Sequence, residues 1–513
     1  MHIDQHVRFW GRTRPEKSAI IFNDTTVTWA ELNEEVSAVA RGLVEAGVQQ
    51  GDRVGILMRN RIETAVSMLA TLRIGAICAP LNFRLIGKEL VSMVEDCSPV
   101  VILAEGELAP LLDESAKVVD FKLFATETGG EQDYAALRKF DGETPNVAID
   151  EDDIAFICYT SGTTGVQKGA ALSHRNILSV GEAAALEHNL TGEDRVLASA
   201  PLVYTGSGIS VFMQLCVYPG STMILLADFN AEIGLDAILR LGATATNSVP
   251  VIWERMSQLP DFDKVTSSGL HYAGAGGAPV SVNLLERYRA HGIPLTQVYG
   301  CTEASGLVAT MDYENALKRP GFAGLPLIGT EIKIERADGT IADPGEVGEI
   351  IVKGPHVMTG YWNRPEMTAE TIVDGWLRTG DLGFQDEEGF LKVVDRSKDM
   401  LVSGGLNVYP AEIERALAQI SGVEELAVIG VANEQWGESP LVVLRTSEGA
   451  DPNEVLSRLE EASIANLGRF KRPSHAVIID REIPRTFSGK IAKPVLRNKF
   501  SEVPEDAVVM RQS

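Results

Sequence analysis

The stretch Tyr159 to Ala170 reads Y-T-S-G-T-T-G-V-Q-K-G-A and follows the apolar run Ile154 to Cys158. Gly162, Gly165 and Gly169 sit among the hydroxyls of Thr160, Ser161, Thr163 and Thr164, and Lys168 adds a charge. Glycines let backbone N–H groups line a concave turn, and hydroxyls add donors without bulk. The composition suits a polyphosphate cradle; a flexible surface loop is the competing reading. The chain then enters a helix near Ser173. A Walker loop, G-x-x-x-x-G-K-[ST], does not fit, because Gln167 precedes the lysine and Gly169 follows it. The dinucleotide fingerprint G-x-G-x-x-G is also missing from this stretch.

Working outward, residues 1–150 alternate between helix and strand patterns. Thr28 with Glu31 makes a capping-box start, and Leu32, Val36, Val39 and Leu43 then share one helix face. Arg53 to Met58, Gly75 to Pro80 and Val100 to Ala104 read as buried strands, with a helix over Ile62 to Leu72. Residues 151–310 continue the rhythm, with strands at Val196 to Ala200, Thr222 to Leu226 and Leu295 to Tyr299. This order predicts an α/β fold with mixed, mostly parallel sheets covered by helices. Residues 320–395 change to short strands and turns, a β-rich subdomain. From Arg396 a small α+β domain is expected. The division is therefore 1–395 and 396–513.

Composition narrows the partners. The 513 residues carry a formal charge of −25, so a nucleic-acid duplex is disfavoured as a partner. Cys78, Cys97, Cys158, Cys216 and Cys301 form no C-x-x-C pair, which fits core residues in a reducing cytoplasm better than a disulfide or zinc framework. The N-terminus has no apolar signal-like run, and no stretch reaches the length of a membrane span. The oligomeric state stays open.

Six motifs fall in order along the chain: T-S-G-T-T-G-V-Q-K-G (160–169), G-G-A-P (276–279), Y-G-C-T-E (299–303), G-W-L-R-T-G-D (375–381), D-R-S-K-D-M-L-V-S-G-G-L-N-V-Y-P-A-E-I-E (395–414) and P-R-T-F-S-G-K (484–490). In this the sequence resembles the adenylate-forming superfamily of acyl-CoA synthetases, luciferases and adenylation domains, over nearly its whole length. The resemblance implies a two-step ligation. A carboxylate attacks the α-phosphate of ATP to give an acyl-adenylate and pyrophosphate, and a thiol, usually coenzyme A, then displaces AMP.

The resemblance also implies roles. Thr160, Ser161, Gly162, Thr163, Thr164, Gly165 and Lys168 hold phosphates. Gly276, Gly277, Ala278, Tyr299 and Gly300 frame adenine, and Thr302 donates to phosphate. Glu303 is the Mg²⁺ ligand, a role that suits a carboxylate oxygen beside phosphates. Asp381 takes the ribose hydroxyls, and Arg396 the ribose or phosphate. Lys490 is the lysine of adenylation. Lys398 is the hinge about which the small domain turns, exchanging Lys490 for the loop of Ser403, Gly404 and Gly405. Trp436 lines the same tunnel, and Arg469, Lys471 and Arg472 are candidates for CoA phosphates.

For the acid, the expected pocket comprises Tyr204, Gly206, Ser207, Val249, Ala273, Gly274, Gly306 and Leu307. These segments are rich in small residues and contain no Lys or Arg, which points to a bulky, medium- to long-chain or aromatic monocarboxylate with an apolar body. Two departures from the family pattern stand out: Gln167 where Pro is usual before the lysine, and Tyr204 where His is usual. Two other functions remain to be separated from CoA ligation. One passes the acyl group to a carrier-protein thiol or another acceptor; the other is a nucleotide-binding regulator without catalysis.

Overall fold

The computed structural model describes the chain except residues 145, 161–166, 278–279, 404–405, 418–419, 434–435, 486–489, 501–502, 505–506 and 511–513, and the side chains of 207 and 313. Chain packing separates two compact units. The first comprises Met1–Ile332 with Ile351–Thr379, and the second Lys333–Ile350 with Gly380–Ser513. Residues 380–395 are thus grouped with the C-terminal segment, whereas the motif pattern places the division at 396.

Two large sheets form the first unit. The nine-stranded sheet has a parallel centre, in which Leu295–Tyr299, Tyr272–Ala275, Ala245–Ser248, Arg195–Ala198 and Thr222–Leu225 lie side by side in that order. Antiparallel strands close both of its edges. The seven-stranded sheet carries Arg53–Leu57, Ile77–Pro80 and Val101–Ala104 in parallel, as the apolar runs predict. Parallel strands require crossover helices. One is Ile62–Arg73, between the parallel neighbours Arg53–Leu57 and Ile77–Pro80. The helix Trp29–Glu45 instead links the two sheets, and at its start the Thr28 hydroxyl accepts from the Glu31 N–H at 3.2 Å and the Glu31 carboxylate accepts from the Thr28 N–H at 2.8 Å.

The helix expected near Ser173 is present, and two local features are added that the sequence reading did not assign. First, Lys168–Ser173 is itself a strand, antiparallel to Ile154–Thr160 with Thr160 opposite Lys168, so the two strands form a hairpin. The helix His174–Glu187 begins only afterwards, with its Asn176 N–H bonded to the Ser173 hydroxyl at 3.2 Å. Second, Thr205–Val217 forms a π-helix, a wide winding uncommon over such a length. It packs on the strands Arg195–Ala198 and Ala245–Ser248.

The second unit is α+β, as expected from the C-terminal pattern. Leu401–Ser403, Val423–Asn433, Gly437–Thr446 and His475–Ile478 form its main sheet, with Pro410–Leu417 and Pro452–Asn466 closing one apolar core and Lys493–Lys499 another. Four of the five cysteines are buried, as their apolar settings imply. No described helix is long and apolar enough to cross a membrane.

Candidate active site

Glu303 lies in a single 3-10 turn, Thr302–Ala304, directly after the strand Leu295–Tyr299. Two left-handed residues follow, Ser305 at φ +57° and Gly306 at φ +104°. A non-glycine residue in this region is strained and needs outside support. Ser305 is fully buried and has that support: its hydroxyl donates to the His356 carbonyl at 2.8 Å, and its own carbonyl accepts from Gln214 Nε2 at 2.7 Å and Ser210 Oγ at 3.2 Å. The Met358 N–H reaches the Glu303 carbonyl at 2.8 Å. Both the π-helix and the segment 356–358 therefore hold the turn in place.

Tyr361, which the sequence reading passed over, links this turn to the glycine-rich hairpin. Its hydroxyl donates to Glu303 Oε1 at 2.9 Å, and Lys168 Nζ stands 5.3 Å from the centroid of its ring. The short strand Gly360–Tyr361 pairs with the hairpin, Tyr361 opposite Ala170, and the Trp362 N–H donates to the Gly169 carbonyl at 2.7 Å. Burial and the neighbouring Glu303 charge push the phenol pKa up, so Tyr361 stays a donor. The signal was present in the sequence as Gly360-Tyr361-Trp362, but no periodicity ties it to a residue 58 positions away.

The nucleotide residues predicted in the first unit fall on both of its sheets, Thr160 and Lys168 on the seven-stranded one and Gly276 to Gly300 after adjacent strands of the nine-stranded one. Gly276 and Gly277 follow the strand Tyr272–Ala275, whose neighbour ends at Tyr299. Gly277 has φ +83°, and a Cβ on Gly276 would stand 2.8 Å from Val298 Cγ2, so both positions select glycine. A Cβ on Gly300 would fall on the Gly306 carbonyl. Thr302 is half-buried beside Glu303, and Thr160 ends the hairpin strand, its hydroxyl 3.5 Å from the Lys168 carbonyl. Gln167 Oε1 is buried with no hydrogen-bond partner among the described residues. Ser161 to Gly165 and Ala278 lie outside those residues.

The second unit assembles its own set. Asp381 and Arg396 face each other across paired strands, with Arg396 Nε 3.3 Å from Asp381 Oδ1. Lys398 follows in the turn whose Asp399 and Met400 N–H groups bond to the Arg396 carbonyl at 3.0 and 3.1 Å. Lys490 is exposed, three residues before the helix Lys493–Lys499. Arg497 of that helix bonds Asp399 at 2.7 Å, and Lys493 pairs with the half-buried Glu414 at 2.9 Å. The Trp436 N–H donates to Asn433 Oδ1 at 3.0 Å. Lys471 pairs with Glu412 at 2.6 Å, and Arg472 donates to the Leu467 carbonyl at 3.1 Å, so both have protein partners. Gly404 and Gly405 lie outside the described residues.

The small residues expected to leave room for an acid mostly accommodate neighbours instead. Ala273 faces the apolar core with Trp253 and Ile238, on the opposite side of its strand from Gly274. A Cβ on Gly274 would stand 2.9 Å from Tyr272 Oη and 3.0 Å from Asn247 Oδ1. One on Gly306 would fall on Ser210 Oγ. Of these glycines, Gly206 opens on space, with no atom of the described residues within 4 Å of its Cβ position. Tyr204 precedes the π-helix and is buried, Val249 caps the helix Pro250–Met256, and Leu307 is buried. A cation does approach this region, although none lies in those segments: the Arg84 guanidinium is 5.9 Å from the Tyr204 ring centroid. The fold brings it there from 120 residues upstream.

Comparison with known proteins places this geometry. The model of the family described as AMP-binding enzyme matches residues 7–362, and that of the AMP-binding enzyme C-terminal domain matches residues 412–490. A feruloyl-CoA synthase of an Amycolatopsis species is 36% identical over 491 residues, 95% of this chain and 97% of the relative. A long-chain-fatty-acid–CoA ligase of Mycobacterium tuberculosis is 35% identical over 93% of this chain and 94% of its own. Among solved structures, o-succinylbenzoate–CoA synthetase from Bacillus subtilis with ATP and a magnesium ion superposes at a TM-score of 0.85, with 32% identity over 97% of this chain and 99% of the other. The same enzyme has also been solved with its acyl-adenylate intermediate.

Proposed function

The chain belongs to the AMP-binding enzyme family, and from that premise we propose that it is an ATP-dependent, AMP-forming acid–CoA ligase. The observation that carries this reading is the cluster of Lys168, Tyr361 and Glu303 at the base of the glycine-rich hairpin. It sets a cation and an oriented carboxylate beside a loop of small donors. The favoured acid has a single carboxylate and a bulky, apolar body, either aromatic or a medium to long chain.

In the first step a carboxylate oxygen of the acid bonds to the α-phosphorus of ATP. The bond from that phosphorus to the bridging oxygen breaks, and pyrophosphate leaves. Thr160, Ser161 to Gly165 and Lys168 hold the triphosphate, Gly276, Gly277, Ala278, Tyr299 and Gly300 frame the base, and Asp381 and Arg396 take the ribose side. Glu303 keeps acceptor capacity beyond its bond to Tyr361, which fits an Mg²⁺ ligand. No described group of three His, Cys, Asp or Glu forms a complete protein cage for a cation. A single carboxylate plus phosphate oxygens is the usual way magnesium is held. When bound, the cation supplies neutralisation of phosphate charge.

Lys490 stabilises charge at the α-phosphate and aligns the attacking oxygen. In the second step the CoA sulfur bonds to the acyl carbon as the thiol proton is lost, and AMP leaves with the electron pair of the broken C–O bond. A turn about Lys398 exchanges Lys490 for the loop of Ser403, Gly404 and Gly405 between the steps. Incubation with ATP, Mg²⁺, CoA and a panel of acids tests this. AMP, pyrophosphate and a CoA thioester are expected. ADP as product would overturn the mechanism, and pyrophosphate release without a thioester would transfer the acyl group to another acceptor.

A further inference from the structure

The outer face of the strand Tyr272–Ala275 carries a row of polar groups that the ligation chemistry leaves unused. Asn247, Gly274 and Thr296 stand in register on three adjacent parallel strands and so point to the same side. Ala273 and Ala275 face the apolar core on the other side. Thr296 is 4% exposed, and its hydroxyl has no hydrogen-bond partner among the described residues. Among the described residues, no hydrogen bond joins the Tyr272 hydroxyl or the Asn247 side-chain amide to protein.

Tyr272 reaches over Gly274 along the strand, towards the end that carries Gly276 and Gly277. Its Oη and Asn247 Oδ1 lie 2.9 and 3.0 Å from the point where a Gly274 Cβ would be. Asn247 Oδ1 is also 3.9 Å from the corresponding point on Gly276. His188 fixes the ring from the other side, stacked at 4.0 Å between centroids, and its Nε2 lies 3.3 Å from Thr310 Oγ1. A buried hydroxyl without a partner, such as that of Thr296, costs stability unless something else satisfies it, and Tyr272 and the half-buried Asn247 offer further unused polar atoms on the same face. These groups are neutral and can both donate and accept. That suits a hydroxyl or carbonyl oxygen, whereas a second carboxylate would require a cation.

We propose that Tyr272, Asn247 and Thr296 form a specificity subsite that takes a neutral oxygen substituent, hydroxyl or carbonyl, on the body of the acid. This rests on the acid–CoA ligase reading and narrows its substrate class to apolar acids carrying one such oxygen. A substrate lacking the oxygen leaves the row unpaired, and such sites reject the deleted analogue strongly.

The experiment compares matched probes, 3-phenylpropenoic acid and its ring-hydroxylated derivatives, with decanoic acid as an alkyl control. AMP release is measured for the wild type and for Tyr272→Phe and Thr296→Val. The wild type is expected to favour at least one hydroxylated probe by about tenfold or more in kcat/KM, the equivalent of one well-made hydrogen bond. Each variant is expected to move that ratio towards one. AMP formation with a wild-type ratio near one overturns the subsite and leaves the ligase reading standing. Equal losses on both members of a pair in Tyr272→Phe and Thr296→Val overturn it too, because they mark a structural role. No AMP from any acid removes the ligase reading and the subsite together.

Discussion

The Tyr361 hydroxyl donates a 2.9 Å hydrogen bond to Glu303 Oε1, joining two segments that no sequence motif connects. The bond engages one carboxylate oxygen and orients the other, the one proposed above to hold Mg²⁺. Removing the donor with Tyr361→Phe keeps the ring under Lys168 but frees the carboxylate to rotate. A hydrogen bond to a charged group contributes about 1.5–3 kcal/mol, so adenylation is expected to fall about tenfold or more. The magnesium concentration giving half-maximal rate should rise with it. Acid-dependent ATP–pyrophosphate exchange across a magnesium series measures both, and an unchanged magnesium profile would show that Tyr361 only packs.

Gly274 tests whether the pocket was read correctly. If its missing side chain simply enlarged the acid site, Gly274→Ala would change substrate preference and leave stability alone. The added Cβ would instead meet Tyr272 Oη at 2.9 Å and Asn247 Oδ1 at 3.0 Å. Overpacking of this kind costs about 1–3 kcal/mol. Removing the phenolic oxygen should recover part of that loss, so the double variant Gly274→Ala/Tyr272→Phe is expected to be more stable than Gly274→Ala alone. Denaturant unfolding of the four proteins in the cycle decides it, and strict additivity would mean the two positions do not touch.

These two residues also show where the sequence was legible. The helix after Thr28 could be read because capping signals and apolar spacing are local, and the structure repeats both bonds of the box. The buried parallel strands announced themselves as short apolar runs. Lys168–Ser173 did not, because K-G-A-A-L-S is poor in β-branched residues and is a strand only through its partners, Ile154–Thr160 and Gly360–Tyr361. The π-helix was equally hidden, since T-G-S-G-I-S-V-F-M-Q-L-C-V opens on small and polar residues and carries no helical period. The motif glycines were recognisable as glycines, but what fills the space beside each is a tertiary fact. Gly274 yields to Tyr272, and Gly306 to Ser210.

His356 gives a pH prediction. It is 3% exposed, packs against Gly354, and its Nε2 has no partner among the described residues. Burial pulls its pKa from 6.5 to about 4. The folded state therefore holds the imidazole neutral where the unfolded chain takes up a proton. Its contribution is complete above about pH 6.5 and is lost as the pH falls towards about 4, amounting to at most about 3 kcal/mol. His174 and His188, drawn down to about 3 and about 4 mainly by burial, act with the same sign. Urea unfolding at about pH 7 and about pH 5 should show a steeper loss for wild type than for His356→Leu. Equal slopes would place the titration elsewhere.

Lys490 and Lys398 separate the two half-reactions. Lys490 is an exposed cation three residues ahead of the helix Lys493–Lys499, and that helix is tied by Arg497 to Asp399, the residue after Lys398. The turn proposed as hinge and the helix that follows Lys490 are thus joined within one unit. On the proposed mechanism, Lys490→Ala removes charge stabilisation that matters only while the carboxylate attacks ATP. Adenylation is expected to fall about 10²–10³-fold or more, as for loss of other preorganised charge donors, while thioester formation from supplied acyl-adenylate is largely retained. Lys398→Pro fixes φ at the turning residue and should do the reverse, sparing pyrophosphate release and slowing CoA transfer. Single-turnover assays of each step, run with both variants, give the pattern directly. Parallel losses in both steps would remove the hinge assignment, whereas a crossed pattern would mean that one chain presents two faces to the same adenylate.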